Sequence, residues 1–381
     1  MNSDETPTSR RRFLGLAAAT TSAIGLAAAD STPRTRLWNN AETPTVANTN
    51  PLGPSQAGIS RPQPPQTSVL VAVFDLVTAD ALPSLLTRLS TTIIALSAHG
   101  PWALAATDIT TTVGIGPGLV SGMGRSMPGA DELPRYDREA ITPAARGGDV
   151  LIQLCGNDAT MLPGALERVL DASRGQLRLR WSQAASRGAA LPLPGHPPTP
   201  RNVLGFVDGI VGPAGDLDTS PDVWIESPAT LRGASIAVIR RMEVDLDAFT
   251  QLGVGRQEAL VGRRRATAAP LNGQNARDRV DLGAKNPDGS YVIPAGAHIR
   301  RANALATGVP AMLRRSYSII SPPGVLFICF QSSLRTFTAT MSRMQAGDEL
   351  FVLTRTTASG SFLILPGFDG HSPLGSSLLS K

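Results

Sequence analysis

Lysine, cysteine and aromatic residues are scarce in this chain. Lys285 and Lys381 are its only lysines, so nearly all of its positive charge is carried by arginine. Cys155 and Cys329 are its only cysteines, and each lies in an apolar run. Two such cysteines favour core residues, with a disulfide as the alternative. The chain has no CxxC motif and no histidine pair at zinc spacing, which argues against a zinc or iron–sulfur site.

No long apolar run occurs after the N-terminal region, so the rest of the chain holds no candidate for a membrane span. The 381 residues are 42% hydrophobic, which is enough for the core of a soluble globular protein. Their number suits two domains, or one domain built from two similar halves. The net charge is +5, but the arginines are scattered and no basic helix is interleaved with aromatics, so nucleic-acid binding is not predicted.

The N-terminal 29 residues match a twin-arginine signal peptide. The segment Ser9-Arg10-Arg11-Arg12-Phe13 is followed by an alanine-rich run that ends in a small-residue cleavage site at Ala29. We therefore expect export of the folded protein to the periplasm or the cell exterior, with no stable membrane insertion. The alternative is a disordered basic tail. Residues 30–66 are rich in Pro, Ser, Thr, Asn and Gly, which predicts a flexible linker, with ordered structure beginning near Val69.

The remaining chain alternates short apolar strands with helical segments, which predicts an α+β fold of antiparallel sheets with peripheral helices. Strands are expected near residues 69–74, 109–115, 150–155, 176–181, 235–241 and 325–330, and helices near residues 81–98, 160–174, 244–251 and 334–344. The run Leu151–Cys155 with its following helix resembles Leu326–Phe330 with its own. This indicates an internal duplication, and we divide the chain into an N-terminal half, residues 67–200, and a C-terminal half, residues 201–381.

Three segments of the C-terminal half bring together an acid, a histidine and arginines. They are Gly205-Phe206-Val207-Asp208-Gly209, His298-Ile299-Arg300-Arg301-Ala302-Asn303 and Leu313-Arg314-Arg315. His298 lies in a long, irregular stretch between Arg256 and Met312, and loops of this length are usually functional. In order and spacing these segments resemble the dye-decolourising peroxidase family, from about Val69 to about Gly370.

The resemblance implies two ferredoxin-like halves, one haem b in the C-terminal half, and a distinct role for each segment. His298 matches the proximal iron ligand, with Asp348 or Glu349 as the carboxylate that accepts its second ring proton. Asp208 matches the distal acid, and Arg314 matches the distal arginine, with Arg315 as its rival. The expected contacts of the haem are Gly209, Ile210, Val211, His298, Arg300, Arg301, Asn303 and Arg314.

The chain departs from the family after Asn303. The family continues Asn-Pro-Arg, whereas here the sequence is Asn303-Ala304-Leu305, so the arginines that contact the haem propionates are left open. Arginine is the usual partner of carboxylates such as propionates. Gly262-Arg263-Arg264-Arg265 also resembles a family segment close to the haem.

The implied activity is oxidation of dyes, phenols or other one-electron donors by hydrogen peroxide, so the expected partners are peroxide and a reducing substrate. Because bulky donors cannot reach a buried haem, surface radicals are a further expectation. The candidates are Tyr136, Tyr291, Tyr317, Trp102, Trp181 and Trp224. One alternative is an exported, haem-binding deferrochelatase of an iron-uptake system, and another is a structural protein without haem. The oligomeric state is left open, with a homodimer as one alternative.

Overall fold

Two βαββαβ units, one from each half of the chain, build the fold. The computed structural model describes residues 49–97, 108–124, 126–193 and 196–379. The twin-arginine segment, the cleavage site at Ala29, and the residues His99 and Trp102 lie outside the described residues.

The first unit is an antiparallel four-stranded sheet covered by two long helices. Its elements are β1 (Ser68–Leu76), α1 (Leu82–Ser97), β2 (Thr110–Ile115), α2 (Pro117–Met123), β3 (Val150–Gly156), α3 (Met161–Ser173) and β4 (Leu177–Ser186). The strands lie side by side in the order β4-β1-β3-β2, which is the ferredoxin-like arrangement. A short hairpin follows, formed by β5 (Leu191–Leu193) and β6 (His196–Thr199).

The second unit repeats this arrangement with a long insertion after its first strand. Its elements are β7 (Ser235–Val244), α4 (Leu246–Gln251), α5 (Val254–Val261), α6 (His298–Arg301), α7 (Ala304–Thr307), β8 (Leu313–Arg314), β9 (Tyr317–Ile319), β10 (Gly324–Gln331), α8 (Leu334–Gln345), β11 (Thr354–Ile364) and α9 (Ser376–Leu379). Its strands lie in the order β11-β7-β10-β9. The two ferredoxin-like halves predicted from the sequence are therefore confirmed, and the matched runs Leu151–Cys155 and Leu326–Phe330 occupy equivalent strands, β3 and β10.

The two sheets are joined edge to edge into a closed barrel, which the sequence did not predict. β2 pairs with β11 over two residue pairs, and β4 pairs with β9 through Ser186 and Ser318. Since β7 also pairs with β10, eight strands form a ring, and β8 adds to it at β10. The two halves are thus parts of one continuous sheet.

Side chains on the strands alternate between the barrel interior and the outer face that the helices cover. Val69 and Val71 belong to the interior cluster, whereas Leu70 and Ala72 belong to the outer cluster. Helix α1 supplies the outer cluster with Leu82, Leu85, Leu86, Leu89 and Ile93, all of which are buried. These positions recur at helical spacing, so they form one apolar face of the helix, and this face packs on the sheet.

The expected flexible linker is wrong for residues 49–66. Gln56 and Ile59 are buried, and Ile59 is part of the interior cluster of the barrel. The Gln56 side chain bridges the β2–β11 seam: its Nε2 donates to the carbonyl oxygens of Val113 and Leu365, each at 2.8 Å, and its Oε1 accepts from the Val113 N–H at 2.8 Å. Although this segment is rich in Pro, Ser and Gly, it packs on the barrel, because its polar groups form hydrogen bonds with backbone groups of both halves.

Both cysteines are free and buried, as expected of core residues. Burial raises the pKa of the Cys329 thiol to about 12 and also raises the pKa of Cys155. The cause is the loss of solvation of the thiolate form in the packed interior.

We expect Gln56→Ala to lower the free energy of unfolding by about 2–4 kcal/mol, since it leaves buried backbone groups at the seam without partners. Urea denaturation followed by circular dichroism would measure the loss. Gln63→Ala is the matched control, because Gln63 is exposed and donates only to the Ser60 carbonyl oxygen among the described residues. Equal stability of the two variants would contradict a structural role for this segment.

Candidate functional site

His298 forms a hydrogen-bonded pair with a buried carboxylate. It is the first residue of α6, and its Nδ1 lies 2.7 Å from Oδ2 of Asp348, which follows α8. The Asp348 side chain has no exposed surface, and its Oδ1 accepts from the Leu350 N–H at 3.0 Å. Because an ionised carboxylate only accepts hydrogen bonds, this contact favours a proton on Nδ1 and leaves the lone pair of Nε2 for a ligand.

Asp348, and not its neighbour, is the carboxylate that contacts the histidine. The Glu349 side chain turns instead to the surface, where it pairs with Arg256. The His298 ring is still 29% exposed, so one side of it is open. A fixed, half-open imidazole backed by a buried acid is the usual arrangement of a metal-ligating histidine.

The three polar residues that follow His298 make local contacts. Arg300 donates through Nε and Nη2 to the Ile293 carbonyl oxygen at 3.0 and 2.8 Å. Arg301 donates through Nε to the Ala295 carbonyl oxygen at 2.8 Å, and the side chain of Asn303 caps α7 by accepting from the Leu305 N–H. These bonds tie the histidine segment to the loop before it. Whether Arg300, Arg301 and Asn303 also contact a haem stays a prediction.

Asp208 lies in a turn whose two glycines have left-handed backbones. Gly205 has a φ of +78° and Gly209 a φ of +82°, which side-chain-bearing residues rarely adopt. A Cβ at Gly205 would lie 2.6 Å from Arg265, whereas a Cβ at Gly209 would meet no atom within 4 Å. The turn is therefore packed at its start and open beside Asp208.

Arg314 is brought to this turn by β8. Its Nη2 donates to the Val211 carbonyl oxygen at 2.9 Å, three residues after Asp208. Its rival Arg315 faces the other way, because successive residues of an extended strand point to opposite sides. Arg315 is buried, and its Nη2 donates to the Pro62 carbonyl oxygen at 3.3 Å. The structure thus distinguishes the two arginines that the sequence left as alternatives: Arg314 reaches the turn that carries Asp208, whereas Arg315 is buried on the other side.

A second buried arginine lies close to Arg314. Arg263 donates through Nη1 to the carbonyl oxygens of Ala268 and Ala276 at 2.7 and 3.1 Å. Burial, and secondarily the positive charge of Arg314, lower the pKa of Arg263 to about 10. Among the described residues neither guanidinium forms an ion pair with a carboxylate. Two such cations create a positive potential that favours an anion. The sequence shows Arg263 within the run Gly262–Arg265, but only the fold reveals that it lies beside Arg314.

Large apolar side chains are exposed in the same segments. Val211 is 51% exposed and Leu305 is 79% exposed. An imidazole with a lone pair, unpaired guanidinium groups and exposed aliphatic groups together fit an apolar iron macrocycle that carries acidic substituents. These residues are therefore compatible with haem.

None of the described helices is long and apolar enough to cross a membrane. Comparisons with known proteins cover both halves of the chain. The family model described as Dyp-type peroxidase, N-terminal, matches residues 56–185, and the one described as Dyp-type peroxidase, C-terminal, matches residues 199–369.

Relatives with assigned names fall into two groups. A dye-decolorizing peroxidase of Thermobifida fusca is 30% identical over 287 residues, which is 70% of this chain and 67% of that protein. A deferrochelatase of Shigella flexneri is 28% identical over 376 residues, 86% of each chain.

Among solved structures, a DyP-type peroxidase from Cellulomonas bogoriensis is 30% identical with a TM-score of 0.77, and the match covers 87% of this chain and 97% of that chain. Ferric DtpA from Streptomyces lividans has a TM-score of 0.77 at 29% identity, with 87% of this chain and 96% of its own covered. The chain therefore belongs to the Dyp-type peroxidase family.

Proposed function

We propose that this chain is a haem b peroxidase in which His298 binds the iron and Asp208 and Arg314 act on hydrogen peroxide. The observation that carries this assignment is the pairing of the His298 imidazole with the fully buried Asp348. When bound, haem supplies the iron at which the O–O bond of peroxide is cleaved and two oxidising equivalents are stored. A negative charge behind the imidazole makes it a stronger electron donor and so favours the oxidised metal.

Asp208 is the proton carrier of the proposed site. Peroxide cleavage requires that a proton leave one oxygen and arrive at the other, which is work for a carboxylate within hydrogen-bonding reach. The open space beside Gly209 leaves room for a small molecule next to this carboxylate. Arg314, anchored on the Val211 carbonyl oxygen, would stabilise the negative charge that develops on the departing oxygen.

The haem contacts remain those expected from the sequence, with one addition. Gly209, Ile210 and Val211 would line one face, and the segment from His298 to Asn303 the other. Arg301 uses Nε for the Ala295 carbonyl oxygen, which leaves its terminal nitrogens for a propionate. We add Arg263, because its guanidinium lies beside Arg314 and forms no ion pair with a carboxylate of the described residues, which suits an acidic substituent or an anionic ligand.

A deferrochelatase-like role in iron acquisition is the second candidate. It is favoured by the relatives of that name, which align over 86% of this chain. The same haem-binding residues would serve both roles, so only the reaction that is catalysed distinguishes a peroxidase from a deferrochelatase. Peroxide-dependent oxidation of a phenol or dye by the purified holoprotein supports the first role, whereas release of iron-free porphyrin supports the second.

We further propose that the twin-arginine segment directs export to the periplasm or the cell exterior. We also propose that the chain divides into an N-terminal half, residues 67–200, and a C-terminal half, residues 201–381. The boundary between the two matched family regions supports the division. Cell fractionation with lysines in place of Arg10, Arg11 and Arg12 would test export, since the expected result is retention in the cytoplasm.

We expect Asp348→Asn to weaken haem binding by about 10- to 100-fold, because the ligating imidazole loses its ionised partner. Titration of the apoprotein with haemin, followed at the Soret band, would measure this affinity. Glu349→Gln is the matched control, since it removes an adjacent carboxylate that pairs with Arg256 and not with the histidine. An unchanged iron spectrum in His298→Ala would overturn the assignment of the ligand.

We expect Asp208→Ala to slow the reaction of the ferric holoprotein with peroxide by about 10²- to 10⁴-fold, the usual worth of a positioned acid–base group. Stopped-flow absorption under excess peroxide would measure the rate. Asp369→Ala is the control, because Asp369 is an exposed acid whose carboxylate, within the described part of the chain, accepts hydrogen bonds only from the N–H groups of His371 and Ser372. A rate in Asp208→Ala equal to that of the control would contradict the proton-carrier role.

A further inference from the structure

One arginine joins the turn that carries Asp208 to the long insertion between β7 and β8. Arg201 stands at the start of this turn, and its Nη1 donates to the carbonyl oxygens of Gly205 at 2.9 Å and of Arg265 at 2.6 Å. Its Nη2 donates to the Ala266 carbonyl oxygen at 3.2 Å. A single side chain therefore fixes the shape of the turn and ties it to the insertion.

The backbone of the turn is also closed on itself. Arg201 and Val207 form an antiparallel bridge, and the Asn202 N–H donates to the Phe206 carbonyl oxygen at 2.8 Å. The side-chain Oδ1 of Asn202 accepts from the Phe206 N–H at 3.2 Å. Because Asp208 follows this bridge directly, the position of its carboxylate depends on how the closed turn is oriented as a unit.

Apolar side chains pack the turn against the first helices of the insertion. Leu204 and Phe206 are buried in a cluster with Phe249 of α4 and with Leu260 and Val261 of α5. The rings of Phe206 and Phe249 meet edge to face, with centroids 6.3 Å apart. Apolar burial holds the turn on these helices but has no direction of its own, so the orientation of the turn is left to hydrogen bonds.

Arg265 provides the fixed partner on the side of the insertion. Its N–H donates to Oε1 of the buried Glu258 at 2.8 Å, and its Nη1 donates to Oε1 of the buried Gln257 at 3.0 Å. Its guanidinium also covers Gly205, where a side chain would collide with it. Arg201 thus donates to a carbonyl oxygen of a residue that α5 itself holds in place.

The same part of the insertion contacts the helix of His298. Gly262, which ends α5, lies so close to Ile299 that a Cβ added to the glycine would be 2.5 Å from the Cγ1 atom of Ile299. Residues 262–266 therefore touch the segment of the proposed iron ligand at one end and the turn of the proposed acid at the other, through the backbone of Arg265.

We propose that Arg201 is a positioning residue for Asp208, and that its hydrogen bonds hold the turn at a fixed distance from the helix of His298. This inference rests on the proposed role of Asp208 as proton carrier. Proton transfer requires an approach within hydrogen-bonding reach, and a displacement of about 1 Å can cost about 100-fold in rate. Arg201 forms no ion pair with a carboxylate in the described part of the chain, so it acts through the backbone of the turn.

The kinetic test compares single and double variants. We expect Arg201→Gln to slow the reaction of the ferric holoprotein with peroxide by about 10- to 100-fold, and by less than about twofold when it is combined with Asp208→Ala. The reason is that a residue which acts only through Asp208 has nothing left to position once that carboxylate is removed. Stopped-flow absorption measures the four rates, and equal losses in both backgrounds would overturn the proposal.

Arg201→Lys separates hydrogen-bond geometry from charge. Lysine keeps the positive charge but lacks the planar set of donors, so we expect this variant to lose nearly as much rate as Arg201→Gln. A rate equal to that of the unaltered protein would contradict a positioning role. Arg61→Gln is the matched control, because Arg61 also donates to two backbone carbonyl oxygens, those of Leu52 and Ser55, but in the N-terminal segment. Its peroxide rate should be unchanged.

A ligand that needs no proton transfer reports on the pocket as a whole. We expect carbon monoxide to bind the reduced holoprotein at the same rate in Arg201→Gln and in the unaltered protein, because its binding does not use the Asp208 carboxylate. A loss as large as that of the peroxide reaction would mean general damage to the pocket, and it would count against a specific positioning role.

The link between the two segments can be measured without peroxide. We expect Arg201→Gln to speed hydrogen–deuterium exchange of the holoprotein in peptides that cover residues 202–208 and 263–266, since the bonds that join these segments are lost. In Arg61→Gln the same peptides should exchange as in the unaltered protein. Unchanged exchange in Arg201→Gln would overturn the proposal irrespective of the kinetics.

The failures of the two proposals can be told apart. If exchange rises as expected but the unaltered holoprotein does not react with peroxide, or Asp208→Ala reacts at full rate, the proposed function is wrong and the link between the segments stands. If Asp208→Ala is slow while Arg201→Gln reacts at full rate, the proposed function stands and Arg201 is not a positioning residue.

Discussion

Closure of the barrel by two short strand pairings fixes the positions of both halves of the chain. Each half alone is a sheet with two open edges, and such edges present unpaired backbone groups. The halves meet at two short seams, β2 with β11 and β4 with β9, and Gln56 adds three hydrogen bonds to the first of them. The interior side chains of both halves then pack as one core.

The closed barrel gives the site a rigid support for groups that come from distant parts of the sequence. Arg314 is fixed by pairing of β8 with β10, and Asp348 by its position just after α8. His298 lies in the long insertion between β7 and β8, and this insertion places it next to Asp348. Its helix α6 is only four residues long, so its geometry depends on contacts: Asp348 on the imidazole and the backbone carbonyl oxygens on Arg300 and Arg301.

Local patterns in the sequence were sufficient for most of the regular structure. The apolar runs of β1, β3, β7 and β10 are properties of adjacent residues, so they predict these strands directly, and the helical segment near residues 81–98 corresponds to α1. β11 was missed, although it is the longest strand of the described residues, because its run Thr354–Ser361 is polar and becomes buried only through pairing with β7. The segment of residues 49–66 was misread for a related reason: its partners lie on both halves of the fold.

The sequence was sufficient to predict which types of residue form the candidate site and in which order they occur along the chain. His298, Asp208 and Arg314 came from three segments and their resemblance to a family. The choice between Asp348 and Glu349, or between Arg314 and Arg315, requires knowledge of which way adjacent side chains point. Only the fold decides that, since one residue of each pair turns to the interior and the other does not. The proximity of Arg263 to Arg314 likewise follows from the folded insertion.

The burial of the two thiols has a consequence for a protein that would operate in an oxidant. Hydrogen peroxide attacks cysteine in its thiolate form, and the product ladder ends in irreversible acids. With the pKa of Cys329 raised to about 12 and that of Cys155 also raised, both sulfurs stay protonated and shielded. The two cysteine thiols are thus poor targets for this reagent, whereas an exposed thioether such as that of Met123 remains open to oxidation to the sulfoxide.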